Sequence, residues 1–362
     1  MVRAPREWES RRIKSGKMHV TSPAPRGIWQ DVLNADEHAL VTQTPTWIDS
    51  ICAIGRYEDA SRLYEISGGQ QLIMPMVRRK QIFTSLASQA SPPSSWGIGG
   101  LISQGAIHSD DIAAVFEDLN QHPALRTSIR PNPLAGEEWA AAKPSGVIAI
   151  PRVAHVLDLD GGFEAVWTKK FKSGTRNKVR KAEKSGLTVE CDTSGKLVPV
   201  FYNLFLQSVD RWASQQHEPL ALARWRAKQR DPLDKFVRLA QRLGDSFRLW
   251  VAWSDGQPAA TILVLQGKNA HYTRGAMNKQ LAGPTRANDL LQKLAIEDAC
   301  RAGCRYYHMG ESGNSTSLSH FKARFGAQPY KYAEYRLERL PITTIDEWIR
   351  SLVKKIIKFK DT

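Results

Sequence analysis

The sequence predicts an α/β protein with a mostly antiparallel sheet, on a chain long enough for two domains. Length is the first observation, because 362 residues exceed the roughly 100 to 200 of one domain. The second is a run of three strand-like segments, 247–253, 258–266 and 270–277, separated by Ser254-Asp255-Gly256 and Gly267-Lys268-Asn269, whose turn chemistry suits hairpins. The third is the order of the segments after residue 277. A helix over 285–302 carries Leu290, Leu291, Leu294, Ala295, Ala299 and Ala302 at helical spacing and ends at Gly303. A strand over 305–309, a short helix containing Phe321 and Lys322, and a strand over 330–337 complete the series. Meander, helix, strand, helix, strand is unlike the strict alternation of a doubly wound nucleotide fold.

Residues 1–35 mix Arg, Lys, Pro and Ser without periodicity and read as a mobile basic tail, with folded sequence beginning near Thr44. A first domain, 36–155, holds strand-like runs at 61–67, 71–78 and 124–130, a helix over 109–120 and a Gly/Ser/Pro-rich loop over 91–100. A second domain, 156–340, opens near a strand at 153–159. It continues through a basic helix over 174–185 with Gly186 as its C-cap, a strand over 187–191, and helices over 197–214 and 234–243. The last segment, 341–362, is an amphipathic helix with Ile345, Trp348, Ile349, Leu352, Val353, Ile356 and Ile357 on one side and a basic end. That apolar side suits packing on the domains ahead of contact with an anionic bilayer.

Charge is the most informative bulk property. The net +15 is concentrated, with +5 in residues 1–30, +7 in 168–184 and +4 in 350–362, leaving the rest close to neutral. Local positive fields of this kind suit phosphates, nucleic acid or an anionic surface. Within the basic helix, Arg176, Arg180 and Lys184 share a face at i, i+4 and i+8, a row fitted to a polyanion or a phosphorylated acceptor.

Other classes are excluded. No apolar run reaches the ~20 residues needed to span a bilayer, so the expected location is cytoplasmic. Cys52, Cys191, Cys300 and Cys304 are too scattered for a disulfide framework or a zinc site. No P-loop, GxGxxG, HExxH or nucleophile elbow is present, and the glycines at 97, 99, 100 and 105 have the wrong spacing for a dinucleotide loop. Asp158-Leu159-Asp160 has the look of a paired-carboxylate metal motif, but with Gly161-Gly162 behind it reads better as a turn at a strand edge. No metal is expected.

The residues from Arg176 to Val189, reading R-N-K-V-R-K-A-E-K-S-G-L-T-V, resemble a pattern of Fem-type transferases. A second part comes after it in order: Tyr272 to Gly275 as Y-x-x-G, the helix from Leu290 to Gly303, Tyr307-His308-Met309-Gly310, and Phe321-Lys322-Ala323-Arg324-Phe325-Gly326 as F-K-x-x-F-G. The resemblance spans residues 155–337. It implies tandem GNAT-like domains and transfer of an acyl or aminoacyl group to an amine. An acyl-coenzyme A donor stands ahead of aminoacyl-tRNA, since the sequence lacks the heptad insertion of the peptidyltransferases. It also lacks the Q/R-x-x-G-x-G/A pyrophosphate loop of ordinary acetyltransferases.

By the same resemblance Lys322 is the cation that stabilises charge on the donor carbonyl, with Tyr272 as a second catalytic candidate. The start of the helix at Thr285, Arg286, Ala287 and Asn288 offers backbone N–H groups and a positive dipole end to donor phosphates. Arg176, Arg180 and Arg274 are candidate substrate-binding residues, and Tyr272 and Arg274, two apart on a strand, are expected to share a face. The acceptor is expected to be a small-molecule or lipid-linked amine, with tRNA and the inner face of the membrane as further partners. Two rival readings stand beside this one: a tRNA-dependent peptidyltransferase, and an inert double-GNAT protein binding RNA or an envelope precursor. The sequence does not specify an oligomeric state.

Overall fold

The computed structural model describes residues 9–12, 18–66, 68–81, 87–121, 124–313, 315–357 and 359. The chain divides into two compact units, one of residues 1–152 with 331–341 and the other of 153–330 with 342–362. It leaves the first unit within the strand Ile148–Asp158 and re-enters it within the strand Gln328–Glu338.

In the first unit, strands Glu9–Arg12, Met18–Ser22, Arg62–Ile66, Gln71–Met74 and Ile102–Ser103 form an antiparallel sheet in that order. Strand Ser88–Ser91 runs parallel to Arg126–Ile129, and the helix Ser109–Asn120 lies between them in sequence. Phe116, Trp139 and Tyr335 pack ring against ring in the core. Asp118, fully buried, accepts from Arg62, from the Tyr64 hydroxyl at 2.9 Å and from Arg11 at 2.6 Å, so its charge is compensated where water is excluded.

Those contacts correct the expectation of a mobile tail. Residues 18–35 are folded: Met18 and Val20 face the core from an inner strand, and the helix Arg26–Ala35 buries Trp29 and Val32 completely. Residues 1–8 and 13–17 of the expected tail lie outside the described residues.

The second unit holds the meander. We label its elements, and the two strands that run on into the first unit, in chain order: β1, Ile148–Asp158; α1, Ser173–Glu183; β2, Thr188–Asp192; α2, Val198–Gln216; α3, Leu220–Arg230; α4, Leu233–Leu243; β3, Phe247–Ser254; β4, Gln257–Gln266; β5, Ala270–Met277; α5, Lys279–Thr285; α6, Ala287–Arg301; β6, Tyr306–Glu311; α7, Thr316–Ala323; β7, Gln328–Glu338; α8, Ile342–Ile356. Strands β2, β3, β4 and β5 pair antiparallel in sequence, β5 pairs β6 in parallel, and β6 pairs antiparallel with the β1 residues Ala154 to Asp158. The core joins Ile262 and Val264 of β4 to Leu291, Ala295 and Ala299 of α6 and to Tyr307 and Met309 of β6.

Two helical readings are corrected. The expected helix at 285–302 is α6 and starts at Ala287, because Arg286, with φ +59°, separates it from α5, a short helix that the sequence reading did not include. The amphipathic segment at the C-terminus forms α8, but its apolar side is not packed: Trp348 is 66% exposed and Ile356 71%.

Candidate active site

Strands β5 and β6 are paired at only two positions, Ala270 with Tyr307 and His271 with His308. Beyond them β5 continues along β4 to Met277, while β6 continues along β1 to Glu311. Two parallel strands that share two rungs and then run with different neighbours separate into a wedge, and both strands' backbone groups become available within it. Of the candidate residues, Tyr272 lies on β5 beside that wedge and Lys322 is held at the end of β6.

Lys322 sits on α7, three residues before Phe325, which is fully buried against Phe171 with ring centroids 5.2 Å apart. That anchor pulls the Lys322 stem into the protein. The residue is 2% exposed, and its Nζ donates to the carbonyl oxygens of Gly310 at 2.9 Å and Glu311 at 2.6 Å, the last residues of β6. Burial lowers its pKa from the ordinary 10.5 to about 8, against the opposing pull of Glu311. The lysine is thus fixed at the end of β6, not at the surface of the helix.

Gly310, with φ +73°, lets β6 end in this conformation, and Gly326, with φ +90°, lets the chain pass where a Cβ would lie 2.7 to 3.0 Å from Lys170 atoms, its backbone included.

Beside the ammonium lies a group that the sequence reading missed. His155, 1% exposed on β1, is bridged by two hydroxyls: Ser319 Oγ lies 3.1 Å from its Nε2 and Ser312 Oγ 3.2 Å from its Nδ1. Burial first, and the Lys322 charge second, lower its pKa, which favours the neutral imidazole. His271, on β5, is pushed down to about 3 by burial, with Arg274 and Lys322 adding to the effect. Its ring meets that of His308 edge to face at 6.1 Å, at the last shared rung of β5 and β6. Only the register of the strands brings these histidines to Lys322.

Tyr272 and Arg274 do not share a face. The pairing Val264 with Tyr272, then Leu263 with Arg274, leaves Thr273 as an extra residue, and a bulge of this kind reverses the alternation. Tyr272 therefore packs on the core side with Val264, where burial raises its hydroxyl pKa to about 12. Arg274 points to the opposite side and donates to both carboxylate oxygens of Asp231 at 3.1 Å, joining Lys235 on a carboxylate that is completely buried.

The start of α6 lies near α7. Arg324, just past α7, pairs with Asp289 in the first turn of α6, and the Arg324 carbonyl accepts from Thr175 Oγ1 of α1 at 3.0 Å. Burial raises the Asp289 pKa, while Arg324, Lys178 and Arg286 pull it down, so three cations surround one carboxylate at this helix start. Of the four residues expected here, Arg286 is exposed and Ala287 is buried. Thr285 turns its hydroxyl back to the Leu281 carbonyl, and the Asn288 amide meets Met277 Sδ. Arg324 and Lys178 complete the cluster, and neither stands out in the sequence alone.

The expected row on α1 divides. Arg176 turns inward and donates to the carbonyls of Trp167, Thr168 and Phe171, closing the helical turn before α1. Arg180 is exposed and lies over the Trp167 ring at 6.0 Å; Lys184 is exposed as well. Asp158 and Asp160 are engaged by Arg305, and Asp158 also by Lys170, as a turn requires. Among the described residues, no group of three or more His, Cys, Asp or Glu is placed to hold a metal ion.

Comparison with known proteins bears on the fold. Residues 169–332 match the acetyltransferase (GNAT) domain model. The fold is similar to the crystal structure of FemX, at 13% identity and a TM-score of 0.56, over 89% of this chain and 98% of that one. A conserved protein of unknown function from Bacteroides thetaiotaomicron aligns at 8% identity and a TM-score of 0.51, over 86% of this chain and 97% of its own. A tandem GNAT protein from the clavulanic acid biosynthesis pathway aligns at 15% and 0.45, over 92% and 98%. A search of curated proteins by sequence finds no match.

Proposed function

We propose that this chain, a Fem-type member of the GNAT superfamily, is an N-acyltransferase that takes an acyl group from acyl-coenzyme A and places it on a primary amine. The observation that carries the reading is the wedge between β5 and β6 with the Lys322 ammonium fixed at its edge. A thioester entering the wedge can pair with the strand backbone, which presents its carbonyl to a preorganised cation.

The chemistry is direct attack. The acceptor nitrogen adds to the thioester carbonyl, forming the C–N bond and placing negative charge on oxygen. An ammonium has three N–H groups, two of which hold Gly310 and Glu311, and the third serves the developing oxyanion. Collapse breaks the C–S bond and coenzyme A leaves as the thiolate. The amine proton passes to His155 through the Ser319 or Ser312 hydroxyl that lies against its ring. The donor pyrophosphate would sit at the start of α6, whose positive dipole end lies beside Arg286, Lys178 and Arg324.

Aminoacyl-tRNA is the second donor reading, and the exposed Arg180 and Lys181 on α1, with Lys184 just past it, favour it. Incubation with acetyl-coenzyme A and a panel of primary amines, and separately with charged tRNA, decides between them. Thiol release that depends on an amine supports the first reading, and Arg286→Gln should then raise the donor KM about 3- to 10-fold, the loss of one charge-assisted phosphate contact. Transfer from charged tRNA alone would replace it.

A further inference from the structure

The helix α8 leaves its apolar side uncovered. Ile345, Trp348, Ile349, Leu352, Val353 and Ile356 are 40 to 71% exposed, and Thr343 is the buried residue of the helix. Projected on a helix these six side chains fill an arc of about 140°, with Trp348 at one border and Val353 at the other. Arg350 and Lys354 lie on the opposite side, and Lys355 flanks the arc.

Charge is graded along the axis as well: residues 342–349 carry two acids and no Lys or Arg, whereas 350–362 carry +4, with Lys358 and Lys360 beyond the described helix. A continuous apolar arc bordered by tryptophan, with a cationic end, is the pattern of a helix lying in a lipid interface, where the ring seats at headgroup level and long lysine stems reach anionic phosphates. Among the described residues no helix is long and apolar enough to cross a membrane, so the contact is peripheral.

We propose that α8 docks the protein on an anionic bilayer, with its apolar arc among the acyl chains and its basic end against lipid phosphates. The reading does not depend on the acyl donor or on catalysis.

The test is co-sedimentation of the full chain with vesicles of phosphatidylcholine alone and of phosphatidylcholine containing phosphatidylglycerol. The protein should partition onto the anionic vesicles and be released as salt rises. Replacing Lys354 and Lys355 together by Gln should weaken binding roughly 10- to 30-fold, from the contribution of each cation near a charged surface. Ile349→Glu with Leu352→Glu should abolish it at an unchanged melting temperature, because both side chains already face solvent.

Equal binding to neutral and anionic vesicles would overturn the proposal. So would anionic binding that survives the double-glutamate change, which would move the anchor elsewhere; the exposed Trp225 among Arg224, Arg226 and Lys228 on α3 is one such surface. Absence of vesicle binding, with a concentration-dependent dimer that the same change dissolves, would overturn it too, by showing that a second copy covers the helix.

Discussion

Replacing Lys322 by methionine separates the lysine's charge from its packing. The stem is retained in a site 2% exposed, so the volume of the core is nearly conserved. Two terms then oppose each other. Holding an ammonium whose pKa is about 8 instead of 10.5 costs the folded state about 3 kcal/mol at neutral pH, and methionine removes that cost. Against it, the Gly310 and Glu311 carbonyls lose their donor, at about 1 to 3 kcal/mol each. The net change in stability is small, and the melting temperature should move by only a few degrees.

Turnover should fall by about 10² to 10³, the loss expected for one preorganised oxyanion donor. The pH dependence adds an independent signature. Because the folded pKa lies below the unfolded one, the unfolded chain binds more protons between pH 8 and 10.5, and wild-type stability rises with pH across that window. Lys322→Met should remove its share of the rise and leave that of Lys235, whose pKa burial also lowers to about 8. The assay is thiol release from acetyl-coenzyme A at saturating amine, with thermal melts over the same pH range. A variant that turns over at the wild-type rate would refute the mechanism, and an unchanged stability profile would refute the assigned pKa.

Two further outcomes rest on the packing. Glu334 is buried among Arg130, Arg152 and Arg336; burial alone would raise its pKa, but the three guanidinium groups hold it at about 2. Its stabilising contribution is complete above the ordinary 4.5 and is lost as pH falls towards 2, so Glu334→Gln should destabilise the protein by about 3 to 5 kcal/mol at neutral pH and flatten the acid limb of a denaturant series. Gly326→Ala forces a side chain into a left-handed backbone and against Lys170; it should cost about 2 to 4 kcal/mol in chemical denaturation, whereas Gly162→Ala, also left-handed but with open space around it, should cost about 1 kcal/mol.

What the sequence discloses depends on whether a feature is local. The meander was legible because turn residues and alternation lie within each hairpin, and α6 because its apolar spacing is internal to the helix. The strand Met18–Ser22 was not, since its alternation is brief and its flanks are basic and proline-bearing, and only the long-range pairing with Arg62–Ile66 shows why it is ordered. The candidate site divides the same way. Lys322 was legible through the F-K-x-x-F-G resemblance, which lies within one short segment, whereas His155 gains its hydroxyl partners from segments more than 150 residues away.

The bulge at Thr273 looks at first like a second feature of the illegible kind, because it defeated the expectation that Tyr272 and Arg274 share a face. In a regular strand, residues three apart point to opposite faces. Tyr272 and Gly275 nevertheless meet: a Cβ at position 275 would collide with the tyrosine hydroxyl, so the glycine leaves the space that the ring occupies. The partners agree, since Tyr272 lies opposite Val264 and Gly275 opposite Ile262, both on the core side. The extra residue brings positions three apart to the same face, and the three-residue spacing of Y-x-x-G is the local trace of that bulge. The same spacing that marks the motif therefore sends Arg274 away from the wedge and towards Asp231, which is why a strict period of two assigned it to the wrong side.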